Sequence, residues 1–320
     1  MIVGHKQQWN FLRKMAAGGH VPHALLFSGI EGLGKRKVAQ EFIKILNCTE
    51  SGREPCGQCF SCLNIENRRH LDFLVIEPVI REIQIEQIRD LQKFLSYSNQ
   101  IAQFKAVIID NAHRLNQEAQ SCLLKCLEEP QGKAIIILVS SHPEALFATI
   151  VSRCGEIKFY PTAVQDIANA LSTYQNNPYF QEIIAWSDGR PGLAIRFFED
   201  KALFEQCLSD LKLAEHLLKG DLAERLMLVK DYWSLLAKND KESNEDEIEK
   251  GEVFQTLYQF LENFTVFLRG LLKKTIAAGG GDWPVSKLVE NLKKAEDLKF
   301  LLLNSNINKR LLLENLVLNL

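Results

Sequence analysis

The sequence predicts an α/β fold in which a parallel sheet carries a phosphate-binding loop and helical domains follow. Three observations support this fold class. Short apolar runs alternate with helical periodicity up to about residue 161, a glycine-rich loop follows the first run, and leucine-rich helical periodicity dominates thereafter. We expect a doubly wound parallel sheet whose ligand lies at the carboxyl ends of the strands. The predicted strands are 24–27, 72–76, 106–109, 134–139 and 156–160.

The first predicted strand leads into the loop GIEGLGKR, which a helical pattern follows. Its spacing fits the phosphate loop G-x-x-x-x-G-K that ends in Ser or Thr, where backbone N–H groups and lysine bind phosphates. The last position differs, because a guanidinium stands where a hydroxyl would bind Mg²⁺, and a guanidinium only donates hydrogen bonds. We therefore expect a degenerate phosphate and magnesium site that hydrolyses nothing. Its loop residues are Gly29, Gly32, Gly34, Lys35 and Arg36.

A second departure lies at the end of the predicted strand 106–109. Asp110 and Asn111 stand where ATPases of this type usually have Asp-Glu, one carboxylate to organise Mg²⁺ and one to activate water. An amide cannot act as a base, so Asn111 removes the second group that hydrolysis needs. Two alternatives remain open. The loop can be a glycine turn without nucleotide, and Asp110 can simply cap the next turn.

Four of the eight cysteines crowd into residues 48–62 in the pattern C-x7-C-x2-C-x2-C. In a reducing compartment such spacing indicates a metal site, and four thiolates suit a tetrahedral, structural Zn²⁺. The alternative is a loop with unliganded cysteines. The predicted metal ligands are Cys48, Cys56, Cys59 and Cys62, while Cys122, Cys126, Cys154 and Cys207 are expected in the core.

Composition predicts a globular protein with two or three domains. Apolar residues make up 46% of the 320 residues, charged residues 24%, and the formal net charge is −2. That charge argues against a surface that tracks nucleic acid throughout, so we expect protein partners. No uninterrupted apolar run of about 18 residues is present, and we expect a cytoplasmic protein. The predicted domains are 1–161, 162–200 and 201–320, with a polar interhelical loop at 238–252.

The chain resembles the delta prime subunits of the bacterial DNA polymerase III clamp loader, in the AAA+ group of ATPases. The resemblance is carried by HALLFSG at 23–29, the four-cysteine insertion, LLKCLEEP at 123–130 and Ser-Arg-Cys at 152–154. The combination is specific, and the likeness extends to about residue 200. Beyond that point, the match is limited to size and helicity.

This resemblance implies an AAA+ domain with a zinc module, a small helical lid and an all-helical C-terminal collar. It implies a hetero-pentamer with motor ATPase subunits and delta that loads the sliding clamp onto primed DNA, in the bacterial cytoplasm at the nucleoid-associated replisome. The chain would belong to a DNA-directed DNA polymerase holoenzyme, being itself neither an active ATPase nor a polymerase. ATP or ADP would bind without hydrolysis. Arg153 would act in trans on a neighbour's ATP, and Gly192 replaces a sensing arginine, with Arg190 two places away.

Two other functions are compatible with the residues. The chain could be an active motor-type ATPase that uses Lys35 and Asp110, or a zinc-dependent DNA-binding module, which the cysteines and the adjacent Arg68 and Arg69 suggest. On composition alone, Arg153 would be a surface salt-bridge partner.

Overall fold

The computed structural model describes residues 2–50, 54–79, 82–98, 100–129, 132–239, 246–280, 283–304, 308–318 and 320. The chain divides into two compact units, Met1–Ile195 and Arg196–Leu320. Residues 162–195 fall within the same unit as the sheet. The division into three domains remains a prediction.

The first unit contains a parallel sheet, which has five strands within the described residues. The order is β2-β3-β4-β1-β5, and every neighbouring pair is parallel. The order places the carboxyl end of β1 between those of β4 and β5, with β2 at one edge. The strands are β1 (Ala24–Ser28), β2 (Phe73–Ile76), β3 (Lys105–Ile109), β4 (Ala134–Ser140) and β5 (Gly155–Lys158).

Helices cover both faces of this sheet, which explains why the central strands are apolar throughout rather than alternating. Every residue of β1 and of β3 is buried. Side chains that alternate along β1 enter two separate cores: Leu26 lies in one and Leu25 and Phe27 in the other. The helices of this unit are α1 (Lys6–Ala17), α2 (Lys35–Asn47), α3 (Phe60–Glu66), α4 (Ile85–Ser96), α5 (Gln117–Glu128), α6 (Ala148–Val151), α7 (Val164–Ala170), α8 (Phe180–Trp186) and α9 (Pro191–Glu199), which runs across the division.

The second unit is helical in its described residues. Its core is built mainly of leucine and phenylalanine, with Phe260 and Phe264 fully buried. Both ends of the predicted loop at 238–252 are helical, because one helix extends through Asn239 and the next begins at Asp246, while residues 240–245 lie outside the described part. The helices are α10 (Lys201–Lys219), α11 (Leu222–Asn239), α12 (Asp246–Ala277), α13 (Val285–Asn304) and α14 (Lys309–Leu318).

The predicted fold class is confirmed: a parallel α/β sheet with a phosphate-loop motif and a four-cysteine insertion, followed by helices. All five predicted strands are present, each with bounds shifted by at most a few residues. No helix in the described part of the chain is long and apolar enough to cross a membrane.

Candidate nucleotide and metal sites

The glycine loop connects β1 to the start of α2, as the sequence predicts. Three of its glycines have positive φ angles: 139° at Gly29, 82° at Gly32 and 88° at Gly34. A Cβ atom on Gly29 would overlap the carbonyl oxygen of Phe159. Any other residue would thus meet both a strained backbone and a steric clash there.

The Lys35 side chain folds back onto the loop that precedes it. Its Nζ donates to the carbonyl of Gly29 and, at 2.7 Å, to that of Ile30. Only 6% of the residue is exposed, and burial lowers the pKa of its amine to about 8, although Glu31 and Asp110 oppose this shift. The amine is therefore satisfied by the chain itself, at the position from which such a lysine reaches phosphates.

Arg36 brings a fixed positive charge to the carboxyl edge of the sheet. Its Nη1 donates to Asp110 Oδ2 at 3.0 Å and to a carboxylate oxygen of Glu77, which follows β2. Arg68 binds the other oxygen of Glu77 at 2.9 Å. Two carboxylates that could have held a divalent cation thus pair with a guanidinium, which cannot bind metal.

Asp110 and Asn111 lie directly after β3, next to this arginine. The second oxygen of Asp110 accepts a hydrogen bond from the backbone of Asn111 at 3.0 Å, so the carboxylate also caps the turn. Burial raises the pKa of Asp110, and the charge of Arg36 works against that shift. Asn111 is left-handed, with φ 51°, a conformation that asparagine tolerates better than glutamate.

The start of α9 packs directly on the glycine loop. The backbone N–H of Gly192 donates to the carbonyl of Gly32 at 2.7 Å, and a Cβ on Gly192 would lie 2.9 Å from that oxygen. A Cβ on Gly32 would in turn lie 3.3 Å from the Cβ atoms of Arg190 and Leu193. Glycine at both positions permits this close approach, which brings the helical segment after the sheet against the loop.

The four clustered cysteines meet as the sequence predicts. Their sulfur atoms all lie within 4.8 Å of one another, and no other group of three or more such ligands occurs among the described residues. The Sγ separations of Cys48 from Cys59 and of Cys56 from Cys62 are both 4.0 Å. Sulfurs about 2.3 Å from a tetrahedral zinc lie roughly this far apart. The donor set and its spacing therefore fit Zn²⁺.

Thiolate formation is favoured at Cys59 and opposed at Cys62, whose pKa is raised by burial. Burial opposes ionisation of Cys59, but hydrogen bonds from Thr49 and Cys62 lower its pKa to about 6. Since zinc binds the thiolate, a low pKa reduces the cost of deprotonation on metal binding.

Salt bridges join the cysteine module to α2, the helix that follows the phosphate loop. Glu66 at the end of α3 pairs with Lys37, at 2.6 Å, and with the buried Lys44, both on α2. Burial opposes ionisation of Glu66, but these two lysines lower its pKa to about 2. Arg68 then reaches Glu77, which also binds Arg36. The module therefore contacts the same carboxylate that holds the arginine of the loop.

Arg153 does not join the loop residues. It follows α6, where its Nη2 lies 2.8 Å from Glu128 Oε1 and its Nη1 donates to the carbonyl of Thr149 at 3.0 Å. Its side chain is 37% exposed. The structure thus separates the predicted residues into a phosphate-loop group, a metal group and this surface arginine.

Sequence reasoning missed Glu77 and the contact of Gly192. A signal for Glu77 was present, because it directly follows a predicted strand, and carboxyl ends of parallel strands share one edge. No local sequence pattern predicts the contact between Gly192 and Gly32, because the two residues are far apart in the chain.

The parallel sheet, the glycine loop before a helix and the strand-end carboxylate define a P-loop protein of the AAA+ class. Residues 4–163 match the family described as "DNA polymerase III, delta subunit". The match covers half of the 320 residues. The chain therefore belongs to this family of DNA polymerase III clamp-loader subunits.

Individual relatives agree with this assignment. The delta prime subunit of DNA polymerase III from Bacillus subtilis is 30% identical over 213 residues, which are 66% of this chain and 64% of that protein. The tau subunit from Salmonella typhimurium is 34% identical over 180 residues, 56% of this chain and 28% of that one. The chain thus spans less than two thirds of the length of either relative.

One solved structure supports the fold over nearly all of the chain. A gamma subunit-related protein of DNA polymerase III from Thermotoga maritima superposes with a TM-score of 0.51 at 19% identity, covering 97% of both chains. Delta prime and tau proteins both match, so the relatives define the clamp-loader family, and the finer assignment depends on the site.

Proposed function

We propose that this chain is a delta prime-type subunit that does not hydrolyse ATP itself and supplies Arg153 to the ATP site of a neighbouring subunit. One observation carries the proposal: Arg36 binds both Glu77 and Asp110, the carboxylates that directly follow β2 and β3. A cation that belongs to the chain replaces the metal ion there, and Asn111 offers no base to activate water.

The proposed setting is a hetero-pentamer in the bacterial cytoplasm, at the nucleoid-associated replisome. Motor ATPase subunits and delta would be its partners there, and the complex would load the sliding clamp onto primed DNA. Support comes from relatives that are named as delta prime and tau subunits of DNA polymerase III. The helical second unit would form the collar, and the first unit would meet the neighbour's nucleotide.

ATP or ADP would bind this chain passively. Loop N–H groups and Lys35 would hold the phosphates, after Lys35 leaves the carbonyls of Gly29 and Ile30. Arg36 would provide the positive charge that Mg²⁺ provides in active members of the class. No residue beside it would orient an attacking water.

We further propose that the four-cysteine module holds a structural zinc ion. Four thiolates complete a tetrahedral shell and leave no position for a catalytic water. The metal would stabilise a segment that lies between α2 and α3 and contributes few buried apolar residues of its own.

A trans-acting arginine stabilises charge that develops on the transferred phosphoryl group. The test uses the reconstituted complex, with DNA-stimulated ATP hydrolysis as the readout. Arg153→Ala should lower kcat by about 10³-fold. Arg89→Ala, which removes another exposed arginine, is the matched control and should have no such effect. Undiminished turnover in the Arg153→Ala complex would overturn the assignment.

The two other functions make different demands on the isolated chain. An active ATPase requires turnover that Lys35→Ala abolishes, and none is expected. A zinc-dependent DNA-binding module requires salt-sensitive DNA binding, for which Arg68 and Arg69 were candidates. Arg68 is paired with Glu77, so its guanidinium already has a partner within the chain.

A further inference from the structure

The guanidinium of Arg153 is held by two acceptors on different elements. Glu128, the last residue of α5, accepts from Nη2, and the carbonyl of Thr149 in α6 accepts from Nη1. Of the five N–H donors of a guanidinium, these contacts use two, and among the described residues nothing else engages the other three. The pair fixes the arginine while leaving it able to bind phosphoryl oxygens.

The two elements that carry these acceptors are joined by a buried side chain. Gln120, 4% exposed, lies in the first turn of α5. Its Nε2 donates to the carbonyl of Ala145 at 3.2 Å, and its Oε1 accepts from the N–H of Phe147 at 2.7 Å. The segment that leads into α6 is therefore tied to α5. This connection joins the two elements from which Glu128 and Thr149 reach Arg153.

We propose that Glu128 is a positioning residue for Arg153. It restricts a side chain with many rotamers to one surface-directed orientation before the neighbouring subunit docks. An arginine that is already ordered loses less conformational entropy when it binds the transition state, so it contributes more to the rate. This inference rests on the proposed function of Arg153.

A merely structural role would have a different signature. Both side chains are partly exposed, at 37% for Arg153 and 50% for Glu128, and such surface pairs contribute little to stability. Loss of Glu128 should therefore leave the thermal midpoint of the chain unchanged. The loss of Glu128 should lower kcat and leave KM for ATP unaltered, because Arg153 acts on the transition state.

The matched control lies at the next position. Glu129 is also exposed and forms no ion pair among the described residues. Glu128→Gln and Glu129→Gln change the net charge equally at almost the same place. Any effect of general electrostatics on docking will therefore be shared by both variants.

The experiment measures DNA-stimulated ATP hydrolysis by the reconstituted complex with each variant, alone and combined with Arg153→Ala. Glu128→Gln should lower kcat by about tenfold at constant KM, and Glu129→Gln should match the unmodified complex. In the Arg153→Ala background, Glu128→Gln should cause no further loss, because the two residues act as one unit.

Three outcomes would overturn the inference. Glu128→Gln could behave like Glu129→Gln, could raise kcat, or could lower it equally without Arg153. If Arg153→Ala has its full effect and Glu128→Gln has none, only the positioning role fails. If Arg153→Ala itself has no effect, the proposed function fails and the positioning role fails with it.

Discussion

The Nη1 atom of Arg36 lies 3.0 Å from Oδ2 of Asp110, so the positive charge beside the strand-end carboxylate is covalently part of the chain. A chelator removes a metal ion, but it cannot remove this guanidinium. Arg36 also binds Glu77, so one guanidinium contacts two carboxylates. Several consequences of this and other contacts can be measured.

Replacement of Arg36 by threonine should make nucleotide binding depend on Mg²⁺. The hydroxyl can bind a metal, and Asp110 and Glu77 lose their cation. In Arg36→Thr, Mg²⁺ should tighten ADP binding by about tenfold relative to EDTA, while the unmodified chain should show no gain. Titration calorimetry measures both. Arg69→Thr is the control, and a requirement for Mg²⁺ in the unmodified chain would contradict the idea.

Loss of one clustered cysteine should remove the metal. Cys59→Ser replaces a thiolate with a poor zinc ligand and should weaken zinc binding at least about tenfold. Elemental analysis after dialysis against a chelator measures the loss, and proteolysis should become faster between α2 and α3. Cys207→Ser, buried in the second unit, should keep its zinc. Full zinc content in Cys59→Ser would exclude the cluster as the site.

The buried amine of Lys105 should be a strong determinant of stability. It is 3% exposed and donates to the carbonyls of Phe94, in the last turn of α4, and of Tyr97 and Ser98, just beyond that helix. Lys105→Met leaves these acceptors without a partner and should lower the free energy of unfolding of the first unit by about 2–4 kcal/mol. Urea denaturation measures this. The exposed Lys93→Met should change it by less than about 0.5 kcal/mol.

The second unit should be more stable in mild acid than at neutral pH. Asp210 is 2% exposed, and burial raises its pKa to about 6, although Asn263 and Gln206 donate to it. Because the folded pKa exceeds the unfolded value of 3.8, the folded state holds more protons between these values. Stability contributed by the protonated form is present below about pH 4 and is lost as pH rises through 6.

Asp210→Asn should remove this pH dependence. At pH 7.5 the variant should be more stable than the unmodified chain by about 2 kcal/mol, and the difference should shrink toward pH 4. Urea unfolding of the full chain at several pH values measures it. The exposed Asp297→Asn serves as the control. An unchanged pH profile in Asp210→Asn would show that another group is responsible.

The fold and part of the site follow from local sequence features. Apolar runs such as Ile135 to Val139 predict buried strands, and the glycine spacing predicts the turn into α2. The residue types at Arg36 and Asn111 alone show that a metal ligand and a general base are missing. Contacts between distant segments have no such signal. The pairing of Arg36 with Glu77, and of Arg153 with Glu128, depends on strand order and helix ends, which only the folded chain provides.

The hydrogen bond from Gly192 to Gly32 changes what orders the phosphate loop. Where only bound nucleotide holds a helical segment against this loop, the fraction of molecules in that conformation depends on the nucleotide concentration. Here intrachain bonds of Gly192 and Arg36 hold the loop. In an assembly of the proposed kind, this member would keep one conformation whatever the ratio of ATP to ADP. Its neighbours would then move against a fixed reference.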